Sequence, residues 1–388
     1  MVTVIKNGII ITMENEKIIK GDIVIKDNII QEVTPHYNGQ CDKIIDAKGN
    51  IVMPGLINAH THLGMYNFRN TNDDLKLMDW LNNKIWPAEA KMTNEEIGAA
   101  TYLSCLEMIK TGTTCCNDQY FGFRENFDAI VKSRIRCLYT RCLMDSDDQG
   151  DKRFQEFENI YCQEKDKNYL ITFSVSPHSL YTCSHEYIKR CSTYAKKHQL
   201  PIHIHYMETK DELKMVPKGA LKPLLNNKLI LAHGIYIENI KELQNKDVSI
   251  VHNPLSNLAL GCGIADIVKY KKANLNVCIG TDGIGSGYSL NLFKHLPFVY
   301  LLPKGMYQDP SIITAFEVLK MATINGAKAL GINNLGLIKK GYKADLIIVK
   351  LLDKPINNYF VALLTNNSEV LTTIVNGEVL MLNKKLKV

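Results

Sequence analysis

The sequence lacks an apolar run long enough to cross a bilayer, and charged residues interrupt its N-terminal segment. Lys6, Glu14 and Glu16 fall among the apolar positions of the first 25 residues, so we expect no secretory leader. Clustered charge is also missing: 46 lysines and arginines against 40 acidic residues leave a net charge of +6, spread along the chain. This pattern favours neither nucleic acid nor a membrane as a partner.

Paired cysteine motifs are absent as well, although the chain has 11 cysteines. Their spacing is irregular, no Cys-x-x-Cys occurs, and Cys115 and Cys116 are adjacent, so neither a disulfide framework nor a zinc ribbon is predicted. Reduced thiols are typical of the cytosol, and we expect a cytoplasmic protein. The 388 residues suffice for one barrel of roughly 250 residues plus an accessory unit.

The two ends of the chain resemble each other. Asn7-Gly8 and Asn376-Gly377 each lie between apolar stretches, which predicts a β-hairpin at both places. Alternating apolar and polar residues with frequent turn residues continue through the first 52 positions, and another strand is predicted over 344–349. We therefore expect a small β-sandwich domain formed by both termini, residues 1–53 and 340–388.

The middle of the chain, residues 54–339, alternates short apolar runs with longer helical stretches, as parallel β/α units do. Thr93 and Glu96 form a capping box before a helix, and a late helix is predicted from Asp309-Pro310 to Gly331. The predicted strands are 52–62, 113–118, 136–144, 171–179, 201–208, 229–237, 248–254 and 276–283. Eight such strands predict an α/β fold, a (β/α)8 TIM barrel, as the catalytic domain.

Polar, chemically capable residues stand at the carboxyl ends of nearly all these strands. They are His60, His62, Asp118, Arg141, His178, His205, Glu208, His233, His252, Asn253 and Asp282. In a closed parallel barrel the carboxyl ends meet on one face, so side chains far apart in sequence would surround a single cavity. His60 and His62, two positions apart on a strand, point to the same side and form half of a metal site.

Five segments resemble the amidohydrolase superfamily: Pro54-Gly-Leu-Ile-Asn-Ala-His60-Thr-His62, His205-Tyr-Met-Glu208-Thr, Leu231-Ala-His233-Gly, His252-Asn-Pro-Leu-Ser-Asn and Gly280-Thr-Asp282-Gly. Within it, the chain is most similar to the methylthioadenosine and S-adenosylhomocysteine deaminases. The resemblance implies one divalent metal, zinc or alternatively iron, held by His60, His62, His205 and Asp282. It places His233 beside the metal and the reacting water.

The resemblance also implies the reaction, which converts an adenosine-type nucleoside to the inosine analogue plus ammonia. A divalent cation lowers the pKa of water, and the resulting hydroxide would attack C6 of adenine. Asp282 would accept the water proton, and Glu208 would carry a proton to the ring nitrogen and then to the leaving ammonia. His233 would stabilise charge on the attacking oxygen.

Five further positions match residues that contact the substrate in this family. Trp80 and Glu89 would line the nucleoside pocket, with the Glu89 carboxylate accepting the ribose hydroxyls, and His178 would contact the purine. Arg141 and Arg153 could hold the carboxylate of a homocysteine tail, because a guanidinium binds a carboxylate through two parallel hydrogen bonds. If both arginines line the pocket, S-adenosylhomocysteine is a natural substrate; if only Arg141 does, adenosine and methylthioadenosine are favoured.

Two alternatives stay open. The same scaffold could act on guanine, a pterin or a triazine, and an inactive barrel could serve as a binding subunit. The predicted strand 171–179 has no lysine, which argues against a two-metal site bridged by a carboxylated lysine. Association into a homo-oligomer is common among relatives. His203 is expected to support strand packing, and Asp118 and His252 have no assigned role.

Overall fold

The computed structural model describes residues 1–72, 74–122 and 124–388. The strands are β1 (Val2–Ile11), β2 (Ile18–Lys26), β3 (Ile29–Thr34), β4 (Lys43–Asp46), β5 (Ile51–Pro54), β6 (Leu56–His62), β7 (Thr113–Tyr120), β8 (Arg136–Leu143), β9 (Ile171–Phe173), β10 (Ser176–Pro177), β11 (Ile202–Tyr206), β12 (Leu229–His233), β13 (Val248–His252), β14 (Asn276–Ile279), β15 (Asp282–Gly283), β16 (Leu346–Leu351), β17 (Ser368–Val375), β18 (Glu378–Leu382) and β19 (Lys385–Leu386).

The helices are α1 (Leu77–Trp80), α2 (Trp86–Glu89), α3 (Asn94–Lys110), α4 (Arg124–Ser133), α5 (Gly150–Glu164), α6 (His185–His198), α7 (Glu212–Met215), α8 (Pro254–Ala259), α9 (Ile267–Lys272), α10 (Ile284–Gly287), α11 (Leu292–Tyr307), α12 (Ala315–Met321), α13 (Ile324–Leu330) and α14 (Tyr359–Thr365). A π-helical turn, Leu81–Ile85, joins α1 to α2, and short 3-10 helices cover Leu63–Phe68, Lys222–Leu224 and Ile240–Leu243. Within the described ranges, no helix is both long and apolar enough to span a membrane.

Strands from both ends of the chain share one nine-stranded sheet. Its order is β19-β18-β17-β16-β5-β1-β2-β3, with β4 beside β1, and the two ends meet where β16 pairs antiparallel with β5. Alternate residues such as Ile5, Ile23 and Ile348 are buried in a common apolar core on this sheet. The sandwich architecture and the domain limits stay predictions.

The predicted hairpin at Asn7-Gly8 is wrong, whereas the one at Asn376-Gly377 is confirmed. Strand β1 runs through Asn7, whose φ of 59° makes a bulge that shifts the register against β2. The Asn7 N–H donates to the buried Asp22 carboxylate at 3.0 Å. This hydrogen bond stabilises the bulge, and the chain continues as a strand instead of turning. Asn376 and Gly377 both have positive φ, as a two-residue turn between β17 and β18 requires.

The middle of the chain forms a closed ring of parallel strands, and the predicted α/β class is confirmed. Strands β6, β7 and β8 are neighbours, and β9 and β10 both lie beside β8. Bridges from Val175 to Ile202 and from Ser179 to His205 lead to β11, and β12, β13 and β14 follow. The ring closes where β15 pairs with β6. Two of the predicted strands, 171–179 and 276–283, are therefore each broken into two short pieces.

The predicted late helix is two helices, because the backbone changes direction at Thr323. Helix α12 begins after Thr314, which forms a capping box with Glu317, rather than at Asp309-Pro310. Thr323 has φ −133° and ψ −100°, and its hydroxyl donates to Leu319 O at 2.7 Å, so α13 starts as a separate helix. Gly331, with φ 71°, ends α13 as predicted.

Candidate active site

Four metal-binding side chains converge at the carboxyl ends of the barrel strands. His60 and His62 come from the end of β6, His205 from the end of β11 and Asp282 from β15. One ligand atom of each lies within 4.8 Å of the others. The Asp282 Oδ1 atom is 3.3 Å from His60 Nε2 and 3.0 Å from His62 Nε2. The structure thus brings together all four residues that the resemblance implied as metal ligands.

Backbone carbonyls orient two of these imidazoles. His62 Nδ1 lies 2.5 Å from Gln119 O, and His205 Nδ1 lies 2.8 Å from His178 O. A carbonyl only accepts, so both Nδ1 atoms carry hydrogen and both Nε2 atoms present a lone pair. These two Nε2 atoms are 3.3 Å apart. Facing lone pairs repel unless a cation or an added proton lies among them, so the arrangement fits a bound divalent metal.

The carboxylate of Asp282 is held from its other side. Its Oδ2 accepts hydrogen bonds from Ser256 at 2.5 Å and from Ser286 at 3.1 Å, which leaves Oδ1 directed at the histidines. Burial alone would raise the pKa of Asp282, but the imidazoles of His60 and His62 that face its carboxylate hold that pKa well below its usual range. Asp282 is therefore a buried carboxylate that keeps its negative charge.

Glu208 follows β11 and is buried against Asp282 and His233. Burial, reinforced by the negative charges of Asp282 and Glu212, raises the pKa of Glu208 well above its usual range. Its position is fixed through Glu212, whose carboxylate accepts the N–H groups of Met207, Glu208 and Thr209 at 2.9, 2.7 and 3.1 Å. Glu208 is thus a neutral acid held on a fixed loop.

His233 closes the same site from the end of β12. Its φ of 70° turns the chain sharply, and its Nδ1 lies 2.8 Å from Asn257 Oδ1 and 3.5 Å from Glu208 Oε1. The amide oxygen accepts, so Nδ1 carries the hydrogen. Burial lowers the pKa of His233, and its buried Nε2 has no hydrogen-bond partner within the described part of the chain. A neutral imidazole with one uncommitted nitrogen faces the cavity.

A cavity opens above this cluster, and Trp80, Glu89 and His178 line it. The Tyr120 hydroxyl donates to Glu89 at 2.7 Å, and burial raises the pKa of Glu89 to about 7. Burial, followed by the nearby charge of His62, lowers the pKa of His178 to about 3, so His178 is neutral. The cavity therefore combines an apolar wall with two polar groups, as small-molecule sites commonly do.

Arg141 and Arg153 lie in an outer cavity that adjoins the first one. Trp86, Glu89 and Phe121 line both cavities, so the two lie side by side. Each arginine already has an acidic partner: Arg141 donates from Nε to Glu156 at 3.0 Å, and Arg153 binds Asp147. Both predicted arginines thus reach the cavity system, and neither is a solvated loop charge.

Several residues at this site were not predicted. His203 lies 2.8 Å from His60 Nδ1 and so orients a metal-type ligand, a contact that its position two residues before His205 could have suggested. Asp118 accepts from Leu63 N at 2.8 Å and from Asn126, which makes it a structural carboxylate. The contributions of Ser256, Ser286 and Glu212 depend on loop conformation and have no motif of their own.

Residues 51–380 match the sequence model of the amidohydrolase family. The 5′-deoxyadenosine deaminase of Methanocaldococcus jannaschii is 40% identical over 357 residues, covering 87% of this chain and 84% of that protein. The 5-methylthioadenosine/S-adenosylhomocysteine deaminase of Thermococcus onnurineus is 37% identical over 406 residues, covering 100% of this chain and 95% of that protein. An adenosine deaminase from Xanthomonas campestris, solved with bound zinc, has a TM-score of 0.92 at 28% identity, covering 99% of this chain and 94% of that one.

Proposed function

The chain belongs to the amidohydrolase family, and we propose that it removes the 6-amino group of adenosine-type nucleosides by hydrolysis. The substrates are S-adenosylhomocysteine, 5′-methylthioadenosine, 5′-deoxyadenosine or adenosine, and the products are the inosine analogue and ammonia. One observation carries this proposal: a neutral buried Glu208 and an ionised buried Asp282 face each other across a group of metal-type ligands. Relatives named as deaminases of such nucleosides match nearly the whole chain.

His60, His62, His205 and Asp282 would hold one divalent metal. Three imidazole nitrogens and a carboxylate oxygen form a donor set that suits zinc, and the zinc in the Xanthomonas campestris enzyme favours zinc over iron. The metal, when bound, supplies Lewis acidity that lowers the pKa of water to near neutrality.

The protein groups divide the proton transfers between them. Asp282 is ionised, so its Oδ1 is the base that accepts the proton of the attacking water. Glu208 is protonated, so it donates from its carboxyl group to a ring nitrogen of adenine. The resulting carboxylate takes the proton of the hydroxyl group added at C6 and passes it to the leaving amine, and the proton held by Asp282 then restores the Glu208 carboxyl group. His233, positioned by Asn257 with its hydrogen on Nδ1, accepts a hydrogen bond from the attacking water at Nε2 and so orients it.

The inner cavity would bind the purine and the ribose, and the outer cavity would bind the 5′ substituent. His178, neutral and bonded through Nδ1 to Thr182 Oγ1 at 2.9 Å, offers its other ring nitrogen to the purine. Trp80 provides apolar contact, and the Glu89 carboxylate accepts the ribose hydroxyls above its pKa of about 7. Because Glu89 also lines the outer cavity, a 5′ substituent would extend toward Arg141 and Arg153.

Three further features belong to the proposal. The sheet of strands β1–β5 and β16–β19 would form a β-sandwich domain of residues 1–53 and 340–388, supported by its own apolar core. The 11 cysteines are all unpaired thiols, which supports a reducing, cytoplasmic location. A homo-oligomer is retained from the family resemblance.

The direct test is the fall in ultraviolet absorbance as adenine becomes hypoxanthine, with zinc-loaded protein and a panel of S-adenosylhomocysteine, methylthioadenosine, 5′-deoxyadenosine, adenosine and guanine. We expect loss confined to the adenosine compounds and abolished by chelation. Glu208→Gln should lower kcat by about 10²–10⁴-fold, the usual contribution of a general acid, and should retain its zinc. A metal-loaded protein that acts on guanine, a pterin or a triazine but on no adenosine compound would contradict the substrate assignment.

A further inference from the structure

An acidic neighbour occupies the Nη1/Nη2 end of the Arg153 guanidinium. Its Nη1 and Nη2 atoms donate to the two carboxylate oxygens of Asp147, each at 2.5 Å, and Nη1 also donates to Met144 O at 3.0 Å. This paired geometry is the one a substrate carboxylate would need. Only 11% of the Arg153 side chain is exposed, so the fork has little room for a second carboxylate.

Arg141 offers less than a full fork. Its Nε atom donates to Glu156 at 3.0 Å, while its buried Nη1 has no partner within the described residues. An incoming carboxylate could therefore contact Arg141 through its Nη atoms, but it gains nothing from Arg153 unless Asp147 releases that side chain. The rest of the outer cavity includes Trp86, Phe121 and Met144, which suit an apolar substituent.

We propose that Asp147 is a specificity-determining residue: by occupying Arg153, it biases the enzyme toward nucleosides with a short, uncharged 5′ substituent over those that end in a carboxylate. The inference rests on the proposed deaminase function. Methyl and methylthio groups need no contact with Arg153, so their affinity is unaffected when Asp147 occupies it. A carboxylate tail, in contrast, must displace the Asp147 carboxylate before it can bind Arg153.

The test compares Asp147→Asn with Asp148→Asn in the zinc-loaded enzyme, using S-adenosylhomocysteine and methylthioadenosine. Asn preserves the size of Asp147 and its acceptor for Gln149 N, and Asp148 is an exposed neighbour at φ 59°, which Asn tolerates. We expect Asp147→Asn to raise the kcat/KM ratio of S-adenosylhomocysteine to methylthioadenosine about tenfold, the size of one charge-assisted hydrogen bond. The control should leave the ratio unchanged.

Two further readouts separate this effect from a general structural one. The gain should appear as a lower KM for S-adenosylhomocysteine with unchanged kcat, because the tail is remote from C6. It should also vanish in the double variant Asp147→Asn/Arg153→Gln. An unchanged ratio in an active enzyme would overturn the inference alone. A lower ratio would mean that Asp147 binds the substrate's ammonium group and would overturn it too. Absence of deamination with every nucleoside would instead overturn the proposed function and this inference with it.

Discussion

Neighbouring carboxyl groups in the site differ in charge because their partners differ. Asp282 faces two imidazoles at 3.3 and 3.0 Å and accepts from two serines, and its pKa lies well below its usual range. Glu208 is equally buried but faces the negative charges of Asp282 and Glu212, and its pKa lies well above its usual range. The opposite pKa shifts of these adjacent groups support the proposal that Asp282 is the base and Glu208 the acid. The division of roles follows from the surroundings rather than from residue type.

Glu89 gives the first prediction at this scale, because burial raises its pKa to about 7. Below that pH the group is neutral and above it ionised, and only the carboxylate is a strong acceptor for two ribose hydroxyls. We therefore expect kcat/KM for adenosine to rise about tenfold between roughly pH 6 and 8, as the ionised fraction increases. Initial rates across this range at subsaturating substrate measure the effect.

Two controls isolate Glu89. In Glu89→Gln the rise should be absent, and 2′,3′-dideoxyadenosine should give a profile without it in the unmodified enzyme because it has no hydroxyls to donate. A rise that persists in Glu89→Gln would mean that another group is responsible, and the ribose contact would then be wrong.

Some residues of the site could be predicted from the sequence, and others could not. The four metal-type ligands could be predicted, because each stands at the end of a strand within a motif of characteristic spacing. Asp147 could not, since its acidic, polar segment reads as a solvated loop and only the fold turns it onto Arg153. The His203 contact was missed because two histidines two positions apart on one strand are equivalent by pattern.

At the scale of structural elements, the loop between β11 and α7 carries Glu208, and Glu212 holds it through three successive N–H groups. We expect Glu212→Gln to lower kcat about tenfold with little change in KM, because an amide offers one acceptor where the carboxylate offers two. Zinc content should stay the same. Steady-state kinetics with metal analysis provides the measurement.

The matched control is Asp211→Asn, an adjacent carboxylate that is 70% exposed. It should leave both constants unchanged. Equal losses in the two variants, or full activity in Glu212→Gln, would show that the three N–H contacts do not position Glu208.

Helix ends and turns could be predicted where residues close in sequence supply the hydrogen bonds that stabilise them. The capping box at Thr93 and the turn at Asn376-Gly377 formed as predicted, since both are satisfied by neighbours in sequence. The hairpin at Asn7-Gly8 failed because its partner, Asp22, lies on another strand. No proline marks the break at Thr323 in the sequence, and the backbone conformation there is visible only in the structure.

At the scale of the whole molecule, a buried ion pair joins the barrel to the terminal sheet. Arg136, at the start of β8, donates from Nε and Nη2 to the two carboxylate oxygens of Asp345, both at 2.9 Å. Both side chains are almost fully buried. Removing one partner leaves a buried charge unpaired, so Asp345→Asn should reduce the free energy of unfolding by about 3–5 kcal/mol. Equilibrium urea unfolding measures this change.

Glu378→Gln is the control, because Glu378 pairs with the neighbouring Arg134 across the same boundary but is half exposed. An exposed pair contributes at most about 1 kcal/mol. If the two variants lose equal stability, the buried pair has no special part in joining the barrel to the sheet.

We propose that water replaces the amino group at C6. The most direct test is to follow the turnover of methylthioadenosine by the zinc-loaded protein in oxygen-18 water. Mass spectrometry of the product, together with an ammonia assay, gives the result. We expect one oxygen-18 atom on the purine ring of an intact nucleoside and one ammonia per turnover. Release of free adenine, or an intact nucleoside without the label, would place the chemistry at another bond and contradict it.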